Sequence, residues 1–113
     1  MYLLIAVINN EQVLDDLITG WIDMGITEAT VAETTDLLQL ISNNIPIFAG
    51  FRTMTTGGAA HNKTIFTALE DRELLDQATA FIQSLFRETG KPSQGFYFVV
   101  PLVDMGALGL EAL

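Results

Sequence analysis

Ile65-Phe66-Thr67-Ala68-Leu69-Glu70-Asp71-Arg72-Glu73-Leu74-Leu75-Asp76-Gln77 passes from an apolar run, through a polar cap, into a helical repeat. The same succession stands earlier in the chain. There the apolar run Tyr2 to Ile8 is followed by Asn10-Glu11-Gln12-Val13-Leu14-Asp15-Asp16. Each half reads strand, cap, amphipathic helix, glycine, strand. Two such units side by side make a split βαβ sandwich, with four strands in one antiparallel sheet and both helices on one face. The other face is then bare, and this chain is apolar enough that a bare sheet is costly in water.

Working outward, Tyr2 to Ile8 is continuously apolar, which predicts a strand buried on both faces. Asn9 and Asn10 are positioned to cap the next helix. From Glu11 to Met24 the apolar residues Val13, Leu14, Leu17, Ile18, Trp21 and Ile22 recur at helical spacing, and Asp15, Asp16, Thr19 and Asp23 take the wet face. Gly25 ends that helix. Thr27 to Thr34 alternates, with Ala29, Val31 and Glu33 on one face, as a second strand would. Lys63 to Leu69 is the third strand. Asp71 caps a second helix with Leu74, Leu75, Ala78, Phe81, Ile82, Leu85 and Phe86 as its inner stripe. The run from Thr89 to Gly95 is a turn, and Phe96 to Val100 is the fourth strand. Trp21, Phe96, Tyr97 and Phe98 are assigned to the helix and sheet core.

Thr35 to Asn62 is too long for an ordinary connection. Asn43-Asn44, Pro46, Gly50, Gly57 and Gly58 are loop signals. The segment nevertheless carries Ile45, Ile47, Phe48 and Phe51, with Arg52 beside them. This predicts a short helical turn near 37–42, an apolar stretch over 45–51 and a flexible tip over 53–60. The apolar stripe reads either as a partner surface or as side chains folded back onto the protein's own assembly.

The 113 residues fit a single domain spanning 1–113. Half the chain is hydrophobic and its mean hydropathy is +0.38. No apolar run reaches the roughly 18 residues that a membrane helix needs. Met1-Tyr2-Leu3-Leu4 lacks the basic start of a signal peptide. The excess apolar surface therefore points to burial between subunits, with no direct membrane insertion. Cysteine is absent, which removes disulfides and thiolate chemistry and is consistent with a cytoplasmic protein. The net charge is −9 with five basic residues, so nucleic acid and anionic lipid are repelled.

Thr89-Gly90-Lys91-x-x-x-Gly95-x-x-Phe98-Val99 resembles the T-G-K-x-x-x-G-x-x-F-V stretch of the PII signal-transducer superfamily, which joins the second helix to the last long strand there. Gly25-Ile26-x-x-x-Thr30-Val31-x-Glu33 is similar to that family's approach to its second strand. Gln39 falls where the family has a glutamine at the base of its long T-loop. The resemblance covers nearly the whole chain in element order. It implies a ferredoxin-like βαββαβ fold and a homotrimer whose sheets face one another. It further implies ligand sites in the inter-subunit clefts and a loop, here 35–62, that reaches a partner enzyme or transporter. Family members commonly sense adenine nucleotides. On this footing the ligand-binding candidates are Thr30, Gln39, Lys63, Gly90, Lys91 and Gly95. The loop candidates are Ile47, Phe48, Phe51 and Arg52. No cofactor is implied.

Departures from the family set limits on the ligand. The family's phosphate-contacting lysine after the glycine is here Phe96, and no Arg or Lys follows Pro101. The family's modified loop tyrosine has no counterpart, since Tyr2 and Tyr97 lie in expected strands. Polyphosphate recognition needs several cations or free backbone N–H groups. A different ligand, or none, is therefore expected in place of a standard ATP site. The residues also leave room for a CutA-like metal-binding trimer using the lone His61, or for a small enzyme of the dimeric-barrel type. No nucleophile–base pair and no metal-ligand spacing is visible, so a regulatory protein without catalysis is the leading expectation.

Overall fold

The computed structural model describes residues 1–37 and 62–109. Within them β1 (Tyr2–Ile8) leads through a 3-10 turn (Glu11–Val13) into α1 (Leu14–Asp23), followed by β2 (Ala29–Thr34), β3 (Asn62–Leu69), α2 (Arg72–Thr89) and β4 (Gly95–Pro101). The strands form one sheet in the order β2-β3-β1-β4. Each neighbouring pair is antiparallel. This is the ferredoxin-like α+β arrangement, and residues 35–61 separate β2 from β3.

Local chemistry sets the ends of the helices. The Asn10 side chain accepts from the Gln12 backbone N–H at 3.2 Å, and the Asp71 carboxylate accepts from that of Glu73 at 2.9 Å, satisfying donors a helix start otherwise leaves open. Gly90 closes α2 in the left-handed region at φ 67°, where a side chain would be strained. The first helix begins three residues tighter than its periodicity implies, because Glu11–Val13 form a 3-10 turn.

The pairing register sorts the strand residues into two faces. On the helix side lie the rows Ala29–Thr67–Leu4–Val99, Val31–Ile65–Ala6–Tyr97 and Glu33–Lys63–Ile8–Gly95. Leu4, Ala6, Ile8 and Ile65 are buried there against Leu17 and Trp21 of α1 and Leu75, Ala78 and Ile82 of α2. On the opposite side lie Thr30–Phe66–Ile5–Phe98 and Ala32–Thr64–Val7–Phe96, with Ala68–Leu3–Val100 beyond them. No described helix covers that side.

Two expectations change here. The first strand is fully buried only on its helix face; Leu3, Ile5 and Val7 are half-buried. Trp21 and Tyr97 do join the core, but Phe96 and Phe98 do not. Their side chains are 56% and 43% exposed and stack on each other at 6.0 Å between ring centroids. The physical reason is register: alternate residues of one strand point to opposite faces, and Tyr97 takes the core position. Continuity of apolar residues shows that both faces are apolar without showing which one is covered.

The expected helical turn near 37–42, the apolar stretch over 45–51 and the tip over 53–60 lie outside the described residues, save Leu37. Among the described residues no helix is long and apolar enough to cross a membrane.

Candidate functional site

At one end of the sheet, the C-terminus of β1, the N-terminus of β3, the C-terminus of β2 and the α2–β4 turn converge. Ile8 pairs with Lys63 on one side and Gly95 on the other, so Lys63 and Gly95 stand two strand spacings, about 10 Å, apart. Gly90, Lys91 and Gly95 all belong to the turn. Of the ligand-binding candidates, these four share one end of the fold. Thr30 does not join them. It lies mid-strand on the open face, opposite Phe66. Gln39 and the loop candidates Ile47, Phe48, Phe51 and Arg52 lie outside the described residues, as does His61.

The turn is built by Gln94. Its side-chain amide donates to the carbonyls of Phe86 at 2.9 Å and Lys91 at 2.8 Å. Its Oε1 accepts from Asn10 Nδ2 at 3.0 Å and lies 2.5 Å from the Thr89 hydroxyl. That hydroxyl also reaches the Phe86 carbonyl at 3.0 Å, with one proton to share between the two. All four hydrogen-bonding positions of the glutamine are thereby used. Its backbone carbonyl accepts from Asn9 N at 2.7 Å, tying the turn to the end of β1. Gly95 has a steric reason of its own: φ is 143°, and a Cβ there would lie 2.0 Å from the Val7 carbonyl oxygen.

A second set of polar contacts runs across the strand ends. Thr64 Oγ1 and Thr34 Oγ1 are 2.8 Å apart. Thr34 donates to Asn62 Oδ1, Asn62 Nδ2 donates to Asn9 Oδ1 at 3.1 Å, and Asn9 Nδ2 donates to the Ser93 carbonyl at 3.3 Å. With Thr64 as donor to Thr34, every step runs in one direction, so the bonds polarise one another. Asn62 is fully buried, and a buried amide demands such partners. Thr34 and Asn62 are the residues that flank the 35–61 segment. The chain of bonds joins both flanks of that segment to the turn.

The charges differ sharply in availability. Lys63 Nζ pairs with Glu33 at 2.5 Å and with Glu11 at 3.9 Å. The hydrogen bond to Glu33 is the main cause that raises its pKa above the ordinary lysine value, and the two carboxylates add to it. It therefore reaches the site already neutralised. Lys91 is exposed and borders a depression of about 230 Å³ lined also by Asn9, Asn10, Pro92, Ser93 and Gln94. Asn9 and Asn10 each spend one side-chain N–H inside the protein and retain a second. One ammonium, two amide donors and the Ser93 hydroxyl suit a small oxyanion better than a triphosphate, whose charge requires more cations.

Asn9, Asn62, Thr34, Thr64, Thr89 and Gln94 were missed as site residues by sequence reasoning. Asn9 and Asn10 carried a signal as helix caps, and Asn10 does cap. Nothing in the local sequence of Asn62 or Gln94 marks them, because their partners lie far away along the chain. No protein-family model matches the chain, and a search of curated proteins finds no match.

Proposed function

We propose that the protein is a PII-like regulatory homotrimer of the cytoplasm, without catalysis. It binds a small anionic ligand in each cleft between subunits and a protein partner through residues 35–62. Lys91 is the principal cation for the ligand, Gly90 and Gly95 shape its turn, and Lys63 stands at the same end of the sheet with its charge met by Glu33 and Glu11. The observation that carries the reading is the bond chain Thr34–Asn62–Asn9–Ser93. A ligand that pulls on the Lys91 turn shifts the bonds that hold the flanks of the 35–61 segment, and that biases how the segment meets a partner. The bare apolar face with Ile5, Phe66, Phe96 and Phe98 supports the assembly, since a face of this kind is stable in water when a like face covers it.

Thermal shift tests the ligand proposal, with adenine nucleotides, cyclic dinucleotides, phosphate and sulfate as probes. The expected outcome is stabilisation by at least one of them that disappears in Lys91→Ala. No stabilisation by any of them defeats the sensor reading.

A further inference from the structure

Beyond Pro101 the chain continues as an arm, residues 102–109, in which Leu102 and Met105 are half-buried and the other residues exposed. One hydrogen bond, Leu102 N to the Met1 carbonyl at 3.0 Å, ties its root to β1. Val103 is then 99% exposed and Leu108 97% exposed. Large apolar side chains left in water in this way are an unmade contact. On the other edge of the sheet is an unfilled acceptor for one. Ile18, Trp21, Ile22, Ile26, Val31 and Ile65 line a groove of about 100 Å³ between α1 and β2. This has room for an aliphatic side chain and falls well short of the roughly 300 Å³ of a small-molecule pocket. Ile22 and Val31 are exposed on its rim. Trp21 in its wall is 1% exposed, yet its indole N–H is buried without a hydrogen-bond partner. Such a donor is uncommon in a folded interior and marks this wall of the groove as imperfectly satisfied.

The topology places arm and groove at matching positions. Tyr2 pairs with Pro101 and with Leu69, and Thr67 pairs with Ala29. The end of β4 and the start of β2 are thus at the same end of the sheet, on opposite edges. They are three strand spacings apart, about 14 Å. When copies are arranged around an axis parallel to the strands, the β4 edge of one meets the β2 edge of the next, and the shared end stays on the same side. Such a head-to-tail contact closes into a ring of three when each copy is turned by a third of a revolution from the last.

We infer that the arm 102–108 of one copy lies in the α1–β2 groove of the next, setting Val103 and its apolar neighbours among Ile18, Ile22 and Val31. The inference rests on the oligomer proposed above but uses a different surface from the bare sheet face.

Cysteine is absent from the chain, so introduced thiols report contacts without background. Chains carrying Val103→Cys or Leu108→Cys are co-produced with chains carrying Ile22→Cys and resolved without reductant. Docking raises the effective thiol concentration, so the covalent heterodimer is expected to exceed, by about tenfold or more, that formed with the control Ala80→Cys on exposed α2. If the wild type sediments at three times the chain mass but neither arm thiol crosslinks above the control, the arm contact is overturned and the trimer stands. If the wild type sediments at 12.4 kDa, both fall. A disulfide formed within one chain carrying Val103→Cys and Ile22→Cys assigns the groove to its own arm and overturns the exchange.

Discussion

Asn62 shows how much a single side chain can hold. It is buried, accepts from Thr34 and donates to Asn9. Asn62→Ala removes a donor and an acceptor at once and leaves partly buried groups unpaired, at an expected cost of about 1–3 kcal/mol in urea unfolding. Asn62→Asp keeps the shape but loses the donor and sets a carboxylate against the Asn9 oxygen. At neutral pH it is expected to be the worse of the two, and the gap closes on acidification as the carboxyl takes up a proton and donates again. Lys63 titrates at the other extreme of pH. Its folded pKa is raised above the ordinary 10.5, chiefly by the hydrogen bond to Glu33. The stabilisation is then fully present below the unfolded pKa and is lost as pH rises through the folded one. The wild-type advantage over Lys63→Met is therefore expected to hold to about pH 10 and to fade above it, as followed by unfolding at a series of alkaline pH values. Neither role was legible in the sequence. Asn62 was read as the last residue of the long connection and Lys63 as the start of a strand and a ligand candidate, and Asn9 lies 53 residues from Asn62 along the chain. Gly90, Lys91 and Gly95 were legible because a turn writes its constraints locally.

At the scale of elements the sequence spoke more clearly. Caps act within two or three residues, so Asn10 and Asp71 could be read directly. The stripe Leu75, Ala78, Ile82 of α2 follows from helical spacing, and those residues are buried. The inward row of β4 did not follow, because Phe96, Tyr97 and Phe98 are all aromatic and only the pairing of Tyr97 with Ala6 tells them apart. The contact between the two helices turns on Gly20, where a Cβ would lie 2.2 Å from the ring tip of Phe81. In an isolated helix, Gly→Ala gains about 1 kcal/mol. Here Gly20→Ala is expected to forfeit that gain by displacing the Phe81 ring. In a Phe81→Leu background, where the ring is gone, the same substitution is expected to stabilise by about 1 kcal/mol. Unfolding of the four proteins of this cycle measures the coupling directly. A null coupling would mean that the helices do not cross at Gly20.

At the scale of the whole molecule, the described residues present two surfaces of opposite character. The helix side carries exposed Asp15, Asp16, Asp23, Glu73, Asp76 and Glu88 against exposed Arg72 and Arg87, Arg72 being paired with Asp76, within a net charge of −9. The open side of the sheet carries Ile5, Phe66, Phe96, Phe98 and Val100. Copies meeting helix to helix would bring like charges together, whereas copies meeting sheet to sheet bury apolar area at roughly 25 cal/mol per Å². The asymmetry favours assembly through the sheet, and salt should weaken it little, since screening acts on charges and not on apolar burial. Phe98 pairs with Ile5 in the middle of that face, so Phe98→Asp places a charge at its centre. It is expected to convert an assembly of three times the chain mass into a 12.4 kDa particle in sedimentation equilibrium. The corresponding change on the helix side, Asp16→Lys, leaves the mass unaltered. The isolated Phe98→Asp chain keeps the fold, because the side chain it alters contributes nothing to the helix-facing core. Its circular dichroism therefore matches the wild type even as its mass falls, and that pairing of results separates a lost interface from a lost structure. If Phe98→Asp stays assembled while Asp16→Lys dissociates, the copies meet through their helices and the clefts proposed for the ligand do not form.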